Sequence, residues 1–168
     1  MERNDLNRYI AEHEKNLTRL CLKLCRNRSD AEDLYQETWC RVMTKLHLYD
    51  ESKPFQPWLF AVCVNTFRNA YKKAKSNPDA LFNTNEEMEC AIDSAIDPAT
   101  VFNEEYDLIR QAVDELDEKH RIVIVLHYFS DYAVEELASI IGIPQGTVKS
   151  RLHKARKIIR RRLGNNGK

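Results

Sequence analysis

The stretch VEELASIIGIPQGTVKSRL, Val134 to Leu152, decides how this chain folds. It reads as helix, short turn, helix. Ala138 is small, which suits a place where two helices cross closely. Gly142 supplies the positive φ that ends the first helix, and Pro144 cannot continue it. Gly146 or Thr147 opens the second helix. Val148, Leu152, Ala155 and Ile159 follow at steps of four, three and four, an inward stripe. Lys149, Ser150, Arg151, His153, Lys154 and Lys157 are left facing out. Basic and hydroxyl groups at the N-terminal end of a second helix are what the DNA major groove accepts. Lys and Arg donate to guanine O6 and N7, Ser serves either role, and the helix N-terminus holds phosphate. Arg160, Arg161 and Arg162 continue the positive charge toward the DNA backbone.

Outward from this motif almost everything reads as helix. Leu6, Ile10, Leu17, Leu20 and Leu24 give a helix over Asp5–Cys25. SDAE, Ser29 to Glu32, has the form of a capping box: the Ser29 hydroxyl takes an orphan amide and Glu32 reaches back. The helix it starts runs to about Leu48, with Leu34, Trp39, Val42 and Leu46 inward. YDESKPFQP, Tyr49 to Pro57, breaks it, because proline disfavours helix at the residue before it. A third helix spans Trp58–Lys75. Asp97–Pro98 is a helix start, Asp as cap and Pro in first position. Further helices are expected at Pro98–Leu116, Lys119–Phe129, Ala133–Ile141 and Gln145–Leu163. RIVIVLHYF, Arg121 to Phe129, is rich in β-branched residues, yet between helical neighbours it reads as a buried helix. The fold class is all-α with two small helical domains. An N-terminal helical bundle at 1–75 and a C-terminal helix-turn-helix domain at 98–168 are joined by a flexible acidic linker at 76–97.

Charge supports that division. The 168 residues carry 26 basic and 26 acidic side chains, yet they are segregated. Residues 1–75 hold 14 basic and 10 acidic groups, 76–118 hold 1 and 13, and 119–168 hold 11 and 3. The net charges are +4, −12 and +8 in turn. Two basic ends seek polyanions and an acidic middle repels them. No run approaches the ~18 apolar residues of a membrane span. The N-terminus is charged from Glu2 onward and has no apolar signal core. A cytoplasmic protein without membrane insertion is expected, with its five cysteines reduced. Cys21 and Cys25 lie one helical turn apart, a spacing that begins some metal sites. Leu17, Leu20 and Leu24 surround them and no second pair follows at zinc-ligand spacing. They read as small buried apolar residues. Neither a metal nor a cofactor is expected.

The first half carries two further signals. Asp30, Asp33 and Glu37 lie at helical spacing beside Gln36, an acidic face able to grip a basic protein surface. The same charges also favour a helix N-terminus through its dipole. In LYDESKPFQPWLFAVCVNTFRNAYKKAK, Leu48 to Lys75, a loop bearing Tyr49, Phe55 and Trp58 precedes a helix bearing Asn65, Arg68, Asn69, Lys72, Lys73 and Lys75. Aromatic rings beside amides and cations suit single-stranded nucleic acid: bases stack or enter pockets, amides read base edges and cations follow the backbone. Phe55, Trp58, Phe60 and Phe67 are read as mostly core. Tyr49, at a loop mouth, and Asn65, interrupting an apolar run, are the residues read as contacts.

DAEDLYQETW, PFQPWLFAVCVNTFRN and EELASIIGIPQGTVKSRLHKAR, in this order with an acidic stretch between, resemble a bacterial RNA polymerase sigma factor of the extracytoplasmic-function group. The resemblance covers roughly residues 5–75 and 98–163. It implies a non-enzymatic promoter-specificity factor with two helical domains. The first would bind the β′ clamp helices of core polymerase through Asp30, Asp33, Gln36 and Glu37. It would read the minus-ten element with Tyr49, Lys53, Asn65, Arg68, Asn69 and Lys72, the Tyr49–Pro57 loop receiving a flipped base. The second would bind the β flap and read the minus-thirty-five element. Its residues would be Thr147, Lys149, Ser150, Arg151, His153, Lys154 and Lys157, with His127 on phosphate. The linker would thread the polymerase near the template and RNA path, and an anti-sigma factor would hold the chain inactive. One position departs from the family pattern: Ala133 stands where Ser or Thr often opens the first helix of the motif, and Asp131 is then the expected cap.

Two other readings use some of the same residues. A stand-alone helix-turn-helix regulator needs a dimer and a palindromic site, and leaves Tyr49–Lys75 without a role. A redox or metal module would use Cys21, Cys25, His47 and Cys63, with no visible acid or base to support it.

Overall fold

A computed structural model describes residues 3–76 and 104–166. The chain divides into two compact units, Met1–Glu89 and Cys90–Lys168. Among the described residues every regular element is helical, and no helix is long and apolar enough to cross a membrane. Most of the linker expected at 76–97 and the helix start expected at Asp97–Pro98 lie outside the described residues.

The first unit is built from α1 (Arg3–Leu24), α2 (Arg28–Lys45) with a 3-10 turn at Leu46–Leu48, and α3 (Phe55–Ser76), each packed on the other two. Its core is aliphatic in the middle: Leu17, Leu20 and Leu24 of α1, Val42 of α2, and Leu59, Cys63 and Val64 of α3 are buried. Each leucine among them contributes about 1.5–3 kcal/mol by leaving water. Two expected boundaries move. Ser29 does not cap α2; Asn27 does, in extended conformation, its side chain accepting the Asp30 amide at 2.8 Å. Asn caps as well as Ser, and standing two residues earlier it leaves Ser29 inside the first turn. Helix α3 starts at Phe55 rather than Trp58. Pro57 is then its third residue, within the first turn, where a missing N–H leaves no intrahelical bond unmade.

The second unit contains α4 (Glu104–Asp114), α5 (Glu118–Ile124) running into one π-type turn at Val125–Phe129, α6 (Val134–Ile141) and α7 (Gln145–Asn166). RIVIVLHYF is helical, as expected, and Arg121 to Leu126 are all buried, but Tyr128 and Phe129 at its end are exposed. Asp117 caps α5, accepting the His120 amide at 3.2 Å and pairing with the His120 ring. Ala133, not Asp131, is the cap residue of α6. It has no side chain to take an amide, so only half a capping box forms: Glu136 accepts the Ala133 N–H at 2.8 Å. Asp131 instead takes positive φ, 57°, and turns the chain into α6; Asp tolerates that region better than most residues. Helix α6 ends as expected at Gly142, φ 76°, with the Gly142 and Ile143 amides returning to the Ala138 carbonyl at 2.9 and 3.1 Å. Helix α7 opens at Gln145, the start of the expected Gln145–Leu163 range and one residue before Gly146, and the Thr147 and Val148 amides reach the Pro144 carbonyl. It packs on α4, α5 and α6 through Val148, Leu152 and Ala155, all buried. Ile159, the fourth residue of the expected stripe, is half-buried.

Candidate nucleic-acid interface

Helix α7 carries eight cations and no acid between Gln145 and Asn166. With Val148, Leu152 and Ala155 turned inward, the chain's helical repeat sends Lys149, Ser150, His153, Lys154 and Lys157 to solvent, and all five are exposed. Arg151 and Thr147 flank the buried stripe and are half-buried. The Ser150 hydroxyl donates to the Thr147 carbonyl at 3.2 Å, which leaves its lone pairs outward. His127, half-buried in the π turn, has its Nδ1 2.8 Å from the Tyr132 carbonyl. A carbonyl only accepts, so Nδ1 carries the proton and Nε2 is the nitrogen left for another partner. The positive charge does not continue unopposed to the helix end, as the sequence suggested: Arg162 is drawn back onto Glu115 at 2.7 Å. Arg156 is marked by no pattern in the sequence. Its Nε donates to the Tyr128 hydroxyl at 2.5 Å, and its guanidinium lies 5.6 Å from that ring. Tyr128, half-exposed in the π turn, thus braces the recognition helix.

In the first unit the loop 49–54 closes on itself. The Tyr49 amide donates to Leu46 at 3.1 Å and the Lys53 amide to Asp50 at 3.0 Å. The Asp50 carboxylate accepts from the Ser52 amide and hydroxyl at 3.0 and 2.7 Å, bonds that hold its pKa below the usual carboxylate range. The Tyr49 hydroxyl donates to the Lys53 carbonyl, and partial burial raises its pKa. Its ring meets those of Phe55 and Trp58, each at 5.2 Å. Phe55, Phe60 and Phe67 are core, as expected, while Trp58 is half-buried. Lys53 points to solvent 3.9 Å from Asp50. Asn65, Asn69 and Lys72 are exposed along one face of α3, with Arg68 half-buried beside them. Among the described residues no hydrogen bond joins Asn65 to the loop. It lies seven residues beyond Trp58, about 10 Å along the helix.

On α2, Asp30, Asp33, Gln36 and Glu37 are all exposed. The Asp30 carboxylate accepts from the Asn27 amide group at 2.8 Å, and Glu37 pairs with Arg41 at 2.8 Å. Asp33 and Gln36 have no such partner among the described residues. Met43, 54% exposed, is seven residues from Gln36 and so on the same face, an apolar group the acidic pattern did not flag. The cysteines form a different set. Cys21 and Cys63 face each other in the core with Sγ atoms 3.9 Å apart. The hydrogen bond between them, with burial, pushes the Cys21 thiol well above its ordinary pKa. A thiol held protonated is a poor ligand and nucleophile, and His47 is exposed elsewhere.

Comparison with known proteins matches these two units separately. Residues 9–77 match the Sigma-70 region 2 family model and residues 106–159 the Sigma-70 region 4 model. The chain is 31% identical over 159 residues to the ECF RNA polymerase sigma factor SigL of Mycobacterium tuberculosis, covering 89% of this chain and 83% of that protein. It is 29% identical over 158 residues to SigW of Bacillus subtilis, covering 90% and 84%. Two solved structures share the fold. The sigma factor RpoE of Bartonella quintana, in complex with the anti-sigma factor NepR, superposes with TM-score 0.73 at 24% identity, over 95% of this chain and 97% of that one. CnrH, in complex with the cytosolic domain of CnrY, gives 0.68 at 21%, over 98% and 90%. With region 2 on the aromatic loop and α3, and region 4 on the helix-turn-helix, the chain belongs to the ECF family of RNA polymerase sigma factors.

Proposed function

We propose that the chain binds core RNA polymerase, directs it to a two-part promoter and nucleates melting there, without catalysis of its own. The observation that carries this is the presence, in one family member, of an exposed cationic recognition helix and of a separate unit bearing an aromatic loop. A duplex reader needs only the first; an opener of duplex needs the second. Lys149, Ser150, His153 and Lys154 enter the major groove of the minus-thirty-five element, with Arg151 and Thr147 at its edge and Lys157 on phosphate. His127 stands at the DNA backbone, where a phosphate would accept Nε2–H of its imidazolium form. In the first unit the Tyr49 loop takes a flipped non-template base of the minus-ten element, and Lys53, Asn65, Arg68, Asn69 and Lys72 follow the strand. Flipping costs a few kcal/mol, offset by stacking and pocket contacts.

Asp30, Asp33, Gln36 and Glu37, joined by Met43, face the β′ clamp helices, while the second unit meets the β flap. The acidic stretch between the units follows the polymerase's nucleic-acid path. RpoE and CnrH were solved with NepR and CnrY bound, which supports an anti-sigma factor as the controlling partner here, acting in the cytoplasm. Run-off transcription with bacterial core polymerase on a promoter library tests the reading. Initiation at a shared two-part sequence, only when the protein is added, is the expected result. A footprint by the protein alone with no core-dependent initiation would mean a stand-alone regulator.

A further inference from the structure

The loop that carries Tyr49 fixes its own backbone, by the Asp50–Ser52 turn and the bond from the Tyr49 hydroxyl to the Lys53 carbonyl. Those bonds are all internal. They do not set how the closed loop lies on the helices beneath it. The Tyr49 amide bond to Leu46 ties its entry to the turn before it, and the rest of that placement is made by rings. Phe55, the first residue of α3 and 6% exposed, is the hub. Tyr49 meets it edge-on at 5.2 Å, interplanar angle 88°. From α1, Tyr9 stacks on it at 4.2 Å and 15°, and His13, one turn later, lies 5.2 Å away. Tyr9 also presents itself edge-on to Tyr49 at 6.1 Å and 85°. Tyr9 is thus in ring contact with both the loop tyrosine and its anchor. The Arg8 guanidinium lies 5.3 Å from its ring centroid.

Tyr9 is only half-buried, and it stands two turns before Leu17, where the aliphatic core of the unit begins. Removing its ring leaves Leu17, Leu20, Leu24, Val42 and Leu59 in place. What it removes is one wall of the aromatic set. Edge-to-face and stacked pairs are directional, so a ring on that wall selects one tilt of Tyr49, where an aliphatic side chain of similar bulk does not. We propose that Tyr9 is a positioning residue for promoter reading: by stacking on Phe55 and meeting Tyr49 edge-on, it fixes the tilt of the loop that accepts the unpaired base. The inference rests on the minus-ten role proposed above for Tyr49. It extends that role to α1, which the sequence marks only as a packing helix.

The test uses the full chain with core polymerase, as wild type, Tyr9→Leu, Tyr9→Phe and Tyr49→Ala. Two DNA probes are built on the promoter that run-off selection returns. One is a fork junction with the minus-ten base unpaired, in four versions differing in that base; the other is a duplex of the minus-thirty-five element. Tyr9→Leu is expected to weaken fork-junction binding roughly three- to tenfold and to level the preference among the four bases. Core affinity, duplex binding and the melting temperature stay at wild-type values, and Tyr9→Phe restores both affinity and preference. Wild-type behaviour of Tyr9→Leu beside a defective Tyr49→Ala overturns the inference and leaves the minus-ten reading standing. Wild-type behaviour of Tyr49→Ala overturns the reading, and the inference with it. A loss in Tyr9→Leu that falls equally on core binding and melting makes Tyr9 a packing residue and overturns the inference.

Discussion

Arg121 brings a positive charge into the core of the second unit, 2% exposed. Its guanidinium donates to the carbonyls of Val113, Asp114 and Leu116 at 3.3, 2.8 and 2.7 Å. Val113 and Asp114 close α4 and Leu116 follows it, at the end of the helix where the dipole is negative; the Val113 carbonyl also accepts the Leu116 amide at 3.1 Å. The planar fork spans several acceptors at once, which a lysine point charge does not. Arg121→Met removes these three bonds, and urea unfolding should show a loss of about 2–4 kcal/mol, with Arg121→Lys recovering only part of it. The sequence showed Arg121 merely as the basic start of an apolar run. Its burial depends on the turn between α4 and α5, which no periodicity encodes. At the surface the opposite holds. The exposure of Lys149 was legible because a helix that turns Val148, Leu152 and Ala155 inward turns it out, whereas Arg151 flanks that stripe and is half-buried. Lys149→Ala with Arg151→Ala should abolish promoter-specific run-off product, each lost base contact being worth about 1–3 kcal/mol. Binding to core polymerase in a pull-down should not change. An equal loss there would place these residues at the wrong surface.

At the scale of elements, helix existence was legible, and the start of α7 at Gln145 with it, while the starts of α2 and α3 were not. Apolar spacing is repeated along each helix, so a single misread residue does not hide it. A cap depends on one side chain and on the local φ and ψ. Asn27 and Ser29 are both good caps two residues apart, and only backbone geometry chooses between them. Pro57 looked like a barrier, and it sits harmlessly in the first turn of α3 for want of an amide that would have had no partner. Helix α6 shows what an imperfect cap leaves available. Ala133 lacks an acceptor while Glu136 already closes its half of the box. Ala133→Ser should therefore stabilise the second unit by about 0.5–1.5 kcal/mol, read as a higher urea midpoint at unchanged slope. The other end of α6 has no such slack. A Cβ at Gly142 meets nothing within 4 Å, yet φ is +76°. Gly142→Ala should cost about 1–2 kcal/mol from backbone strain alone, and Gly142→Asn less.

At the scale of the whole molecule, zero net charge conceals +4, −12 and +8 along the chain, and the two units each complete a core of their own. The proposed promoter contacts divide the same way. Tyr49 belongs to the first unit and acts on unpaired DNA; Lys149 belongs to the second and acts on duplex. Residues in separate cores with no shared partner change free energies independently. Lys149→Ala should weaken closed-complex formation and leave the rate of opening from a saturated closed complex as it was. Tyr49→Ala should do the reverse. It should slow opening roughly five- to hundredfold, the worth of a base stacked on an aromatic ring, read as delayed permanganate reactivity of minus-ten thymines. In the double variant the two defects should multiply in the overall rate of initiation. A double variant no worse than the weaker single one would mean that both residues serve one step. Permanganate reactivity unchanged in Tyr49→Ala would remove the loop from melting and leave its aromatic residues as core alone.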